Sequence, residues 1–340
     1  MDFTDLVDLA SEKLGGAVLV ANDEFFARRE NLLKASAPIF IEGKYTDLGK
    51  WMDGWETRRR RTPGFDWCII RLGLPGIIRG VVVDTSYFRG NYPEHCSLEA
   101  CALEGQPAPD ELASETIQWT EILPQLPLAG DTQNPFPIES DQRFTHLRFK
   151  IYPDGGVARL RVYGKVVPDW DRLKRSGGDV DLAAVENGGL VLSCSDMFFG
   201  QRHNLIMPGR AASMSDGWET KRRRGPGHDW VIIKLGTPGK VRRVEVDTSY
   251  FKGNFPDSCS LEASSALDLP PDSVTDLSAS WSSILPRTKL RAHTRHLFES
   301  EIMDAGTVAH LRFNIFPDGG VSRLRVYGRV EHLPGSLNLK

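Results

Sequence analysis

In "HLRFKIYPDGGVARLRVYG" apolar and polar positions alternate. Leu147, Phe149 and Ile151 share one face of an extended segment, and His146, Arg148 and Lys150 share the other. "PDGG" supplies turn residues leading into a second strand, which puts Leu160 and Val162 on one face. The same alternation assigns His146, and His310 in the parallel stretch "HLRFNIFPDGG", to a polar sheet face. "VRRVEVDTS" interrupts Val241, Val244 and Val246 with Arg and Glu, as a strand with one wet face does. "DWCIIRLG" and "DWVIIKLG" are short apolar runs closed by glycine, and "IIRGVVVDTSYF" is rich in β-branched and aromatic residues. Helical periodicity is confined to "FTDLVDLASEKL" near the start. Many short strands with Gly and Pro turns predict an all-β sandwich.

The pattern is written twice. Residues 53–73 return at 216–236, 81–100 at 244–263, and 146–166 at 310–330. Upstream, "GGAVLVANDEFFARRENLL" parallels "GGLVLSCSDMFFGQRHNLI". The offset there is 173 (188 − 15) against 163 (216 − 53) downstream, so the first copy carries ten more residues, near "KASAPIFIEGKYTDLGKW". Each copy is domain-sized rather than a solenoid unit. The polar join "VPDWDRLKRSGGDVDLA" divides the chain into two tandem β-sandwich domains, residues 1–168 and 169–340.

Composition narrows the class. Of 340 residues 40% are hydrophobic and 26% charged, the ordinary globular range. A net charge of −3 argues against nucleic acid as a partner, so the arginine runs serve something local. Five cysteines without metal-binding spacing read as free thiols in a reducing compartment. No apolar leader or membrane-length apolar run is apparent, so the expected setting is cytoplasmic, with no membrane partner.

The order "DGWET…DW.I.LG…VDTSYF…SLEA…HLRF.I.PDGG…RLRVYG" is similar to the galactose-binding-like, or discoidin-type, jelly roll. The narrower resemblance is to allantoicase. Both copies carry "DGWET[RK]RRR", "DTSYF[RK]GN" and a Pro-Asp-Gly-Gly turn followed by "V.RLRVYG", over nearly the whole chain. The resemblance implies a hydrolase of purine (allantoin) degradation that cleaves allantoate to ureidoglycolate and urea, and a homo-oligomer. The alternative is a tandem galactose-binding-like carbohydrate-binding module without catalysis, and a third possibility is a structural scaffold.

Allantoate carries one carboxylate and two ureido arms on a single carbon. Its site needs a cation, hydrogen-bonding groups and an acid–base pair. An arginine fork suits the carboxylate. The resemblance assigns this role to Arg59 and Arg61, with Arg222 and Arg224 in the second copy, although a charge run is ordinarily a solvated face and alternating residues cannot all meet one ligand. Glu56 and Glu219 are candidate acid–base groups; their plainer role is an ion pair with the neighbouring run. Asp84 and Asp247 are candidate general bases, and Tyr87, Asn91, Tyr250 and Asn254 candidate partners of a ureido arm. The plainer reading of that loop is a set of Asx and hydroxyl turns. Trp55 and Trp218 read as anchors, and Asp53 and Asp216 as caps of their own turns. "HTRH" at His293 lacks a partner cluster, and no phosphate-loop or dinucleotide fingerprint is present, so no metal and no cofactor are expected.

Overall fold

A computed structural model describes residues 2–105, 107–170, 173, 177–267 and 281–331. The chain divides into two compact units, Asp2–Val167 and Pro168–Lys340.

The first unit contains strands β1 (Val7–Asp8), β2 (Ala17–Ala21), β3 (Tyr45–Thr46), β4 (Gly49–Lys50), β5 (Trp55–Glu56), β6 (Asp66–Asp84), β7 (His95–Cys101), β8 (Thr120–Pro127), β9 (Gln133–Pro137), β10 (Arg143–Tyr152), β11 (Gly156–Val157) and β12 (Arg159–Val166). Its architecture follows from β6. The two apolar runs on either side of "LGLPG" form one 19-residue strand rather than two. Asp66–Arg71 pairs with β10 and Cys68–Arg71 with β2; beyond the glycines, Gly76–Asp84 pairs with β12 and Gly80–Asp84 with β9. The strand therefore belongs to both layers of the sandwich, β2-β6-β10-β7-β8 and β1-β12-β6-β9. All ladders are antiparallel, and Ile69, Val83, Leu98, Phe149, Leu160 and Val162 fill the core with no exposed surface. This is the all-β sandwich expected from the alternation, and the jelly roll that the resemblance implies.

The second unit repeats the plan with β13 (Val180–Asp181), β14 (Leu190–Cys194), β15 (Trp218–Glu219), β16 (Asp229–Asp247), β17 (Ser258–Ser264), β18 (Ser282–Lys289), β19 (Arg295–Phe298), β20 (Thr307–Phe316), β21 (Gly320–Val321) and β22 (Arg323–Val330). Its long strand β16 again pairs with β20 and β14 at one end and with β22 and β19 at the other. The hairpin β3–β4 falls in the extra stretch of the first copy.

Two local expectations are corrected. "FTDLVDLASEKL" is not an α-helix. It is two 3₁₀ turns around β1, because Asp8 accepts the N–H groups of Ala10 and Val162 and thereby docks the segment on β12. His146 and His310 are not on a wet face; both are buried. His146 Nδ1 lies 2.8 Å from Thr145 Oγ1, and on the same strand Arg148 places its guanidinium 4.9 Å from the Trp119 ring.

Candidate active site

At one end of the first sandwich three segments meet. They are 53–61, carrying the arginine phrase; 84–94, after β6; and 153–157, the Pro-Asp-Gly-Gly turn. Trp55 is the anchor. Its indole is fully buried and its Nε1 donates to the Asp23 carbonyl at 2.8 Å. β5 then pairs with β11, setting Glu56 opposite Gly156, while Ala27 bridges the other edge of Glu56. Thr57 exchanges backbone and hydroxyl hydrogen bonds with Gly155. Gly155 lies at φ 139°, and a Cβ there would fall 2.7 Å from Pro93 N. At Gly156 a Cβ would fall 1.9 Å from the Phe88 ring. The turn is glycine-rich because a neighbouring backbone and the Phe88 ring pass this close.

Asp53 does not cap its own turn. It forms a buried ion pair with Arg159, Nη2 to Oδ2 2.7 Å, and accepts the Ile39 N–H and the Lys34 ammonium. Asp216 and Arg323 repeat the pair at 2.9 Å.

The arginines separate by partner. Arg58 pairs with Asp23 on the exposed side. Arg60 gives its backbone N–H to Asp154 Oδ2 at 2.8 Å and its guanidinium to Asp66 and the Phe65 carbonyl. Arg59 is exposed and lines a cavity of about 670 Å³; among the described residues it has no ion pair. Arg61 is exposed and lies outside that cavity wall. The second copy matches, with Arg223 held by Asp318 and Asp229 while Arg222 and Arg224 are exposed.

The same cavity receives Glu56, Asn91, Tyr92, Glu94 and Asp154. Glu56 is 8% exposed. Burial pushes its carboxyl above the ordinary carboxylate range, and a hydrogen bond from Asn91 partly opposes that shift. Asn91 Nδ2 donates to Glu56 Oε1 at 2.7 Å, and its carbonyl accepts the Gly156 N–H at 2.8 Å. Glu219 has the same partner in Asn254 and the same upward shift, with burial again the larger cause, but it is only half-buried.

Other candidates lie elsewhere at this end. Asp84 is buried at the end of β6, where its Oδ1 accepts the Ser86 N–H at 2.9 Å; it is not on the cavity wall. Asp247 does the same with Ser249 at 2.8 Å. Tyr87 has φ 69° and Tyr250 φ 71°, a region that costs a non-glycine residue roughly 1–2 kcal/mol. The Tyr87 N–H is held by Asp131 and that of Tyr250 by His293 Nδ1, each at 2.7 Å. The Tyr87 ring stacks on Phe40 from the extra stretch, 5.7 Å between centroids, and faces a separate cavity of about 370 Å³ with Lys50 and Arg89.

Sequence reasoning missed Tyr92, Glu94 and Asp154. The signal for the first two lay in the copies themselves: "NYPEHC" against "NFPDSC" changes both positions beside an unchanged proline. Asp154 was read only as a turn residue. No group of three or more His, Cys, Asp or Glu able to hold a metal occurs among the described residues.

Comparison with known proteins finds relatives over nearly the whole chain. The family model described as the allantoicase repeat matches residues 7–167 and again 180–331. The chain is 51% identical over 324 residues to an allantoicase of Dictyostelium discoideum, covering 95% of this chain and 87% of that protein. It is 49% identical to a probable allantoicase of Photobacterium profundum, covering 96% and 98%. An allantoicase crystal structure from Saccharomyces cerevisiae superposes with a TM-score of 0.80 at 37% identity, covering 95% of this chain and 93% of that one.

Proposed function

Because the chain belongs to the allantoicase family, we propose that the first-unit cavity is where it acts. The chain is an allantoicase-type hydrolase, cleaving allantoate to ureidoglycolate and urea. The carbohydrate-binding alternative is not favoured, since relatives at this identity and coverage carry the enzyme's name.

One observation supports the site above others. A buried carboxyl with a raised pKa, Glu56, and a guanidinium without an ion pair among the described residues, Arg59, line the same cavity. The substrate carboxylate binds the Arg59 fork. The departing urea nitrogen needs a proton as the C–N bond breaks, and a desolvated carboxyl retains one to higher pH than an exposed carboxyl would. Asn91 occupies Glu56 Oε1, which leaves Oε2 for the substrate. Asp84 fixes the turn that delivers the segment carrying Tyr87 and Asn91, and so acts on position rather than on bonds. Arg60 and Asp154 hold the arginine phrase in register. Arg61, Arg224 and Tyr250 are left at the margin of this reading. Arg222, Glu219 and Asn254 stand at the matching positions of the second copy, with Asp247 in the place of Asp84, and carry no chemical step in this reading.

The setting we propose is cytoplasmic. The five free cysteines support it, and no described helix is long and apolar enough to cross a membrane. A homo-oligomer belongs to the same reading, and light scattering measures it. Urea release from allantoate by the purified chain tests the activity, and Glu56→Gln tests the site. The variant should bind allantoate and release urea at least a hundredfold more slowly; parental turnover would refute the assignment.

A further inference from the structure

The two copies differ at the cavity in a way that bears on which one does chemistry. Of the twelve residues lining the first-unit cavity, ten are identical at the matching positions of the second copy. The exceptions are Tyr92, matched by Phe255, and Glu94, matched by Asp257. Glu94 is an exposed carboxylate with no ion pair among the described residues. Asp257 is held. It accepts the Lys289 ammonium and the Ser258 hydroxyl, with Arg287 Nη2 3.9 Å away. The cations come from β18, where "ILPRTK" stands in place of "ILPQLP" in β8. His95 faces Pro127 in the ladder, whereas Ser258 faces Lys289. The first copy therefore offers no ammonium at this position. The second copy also lacks the phenol of Tyr92 and places the exposed Met214 thioether 3.4 Å from Asn254 Nδ2.

Hydrolysis at the central carbon needs two proton transfers. The C–N bond to one ureido arm breaks, its electron pair staying on nitrogen, and that nitrogen takes a proton from Glu56. A water oxygen bonds to the carbon and releases a proton. The observations so far name a donor but no acceptor. We propose that Glu94 is the acceptor, a catalytic residue of the first-unit site, and that the second copy, its counterpart carboxylate neutralised by Lys289 and Arg287, does not hydrolyse allantoate. Afterwards Glu94 is protonated and Glu56 ionised, and exchange with solvent restores both. This rests on the reading of Glu56 as proton donor.

The test compares Glu94→Gln, Asp257→Asn, Glu56→Gln and Glu219→Gln in the full chain, measuring urea release and allantoate binding. Removing a general base typically costs 10²–10⁴-fold. Glu94→Gln should lose kcat on that scale with KM within about threefold, and an unchanged thermal melt separates this from a folding defect at this exposed position. Asp257→Asn and Glu219→Gln should keep parental kcat. The proposal is overturned if Glu94→Gln turns over within threefold of the parent, or if Glu219→Gln is as damaging as Glu56→Gln. Parental activity in Glu56→Gln would instead sink the underlying site assignment.

Discussion

Arg60 commits its guanidinium to Asp66, Nη1 to Oδ1 2.6 Å, while its neighbour Arg59, on the same cavity wall, has no ion pair among the described residues. Adjacent arginines in one run thus have separable tasks. Asp66 is almost fully buried and Arg60 about a quarter exposed. Removing one partner of a buried pair costs about 3–5 kcal/mol, and the exposure of Arg60 puts its loss near the low end. Arg60→Ala should therefore lower the melting temperature. Arg59→Ala should fold normally and lose roughly thirtyfold or more in kcat/KM, the scale of a lost charge-assisted fork. Arg61→Ala should stay within about 0.5 kcal/mol of the parent and keep its activity. Equal defects in Arg59→Ala and Arg61→Ala would contradict the division.

The pH behaviour of Glu56 has a definite sign. Its folded-state pKa lies above the ordinary 4.5, chiefly through burial. The protonated donor is depleted as pH rises through that value, so kcat should fall on the alkaline side. In stability the group's contribution is fully present below about 4.5 and is lost as pH rises through the folded pKa. Glu56→Gln, which does not titrate, should melt higher than the parent at pH 8 and lose that advantage below pH 4.5. An equal difference at both pH values would count against a desolvated carboxyl.

Asp181 provides a test far from the cavity. Burial raises its pKa to about 6, against N–H donation from Val326 and attraction to Arg325. The stability it contributes is complete below its ordinary value of 3.8 and disappears as pH rises through about 6. Asp181→Asn retains an oxygen to accept the Val326 N–H. A pH series of thermal melts should be flatter between pH 4 and 7 in the variant; identical slopes would show that Asp181 does not titrate there.

Thiol reactivity should be low in the native protein. Burial pushes Cys96 and Cys259 up to about 12 and Cys101 to about 11, and Cys68 is buried as well. Cys194, only half-buried, should be the first to label with a thiol reagent at pH 8, and all five should label in denaturant. Fast native labelling at Cys68 would contradict the packing.

Alternation and repetition made the sandwich legible, because strand period and burial are local properties. The continuity of β6 was not legible: "LGLPG" reads as a break, yet Gly76 is paired within a ladder. Nor was the burial of His146, since alternation marks the two faces of a strand but not whether the polar one is covered. At the cavity, Glu56 and Asn91 stood out for their chemistry. Asp84 stood out equally, and nothing in "VVVDTSYF" says that its carboxylate closes on Ser86. Glu94 went unseen because its isolation is a property of the next strand, β8, not of its own neighbours.

β1 sets Val7 opposite Gly164 and Asp8 opposite Tyr163, so the first and last strands of the unit are ladder neighbours. β13 and β22 repeat the closure, with Val180 opposite Gly328. A unit that closes on itself in this way has its covalent ends side by side. Copies can then be concatenated head to tail with no strand leaving its ladder, which makes duplication inexpensive for the fold. The same closure makes the starting point of the chain a matter of genetics rather than of packing: a circular permutant joined across β12 and β1 and opened at an exposed loop keeps every pairing that positions Glu56.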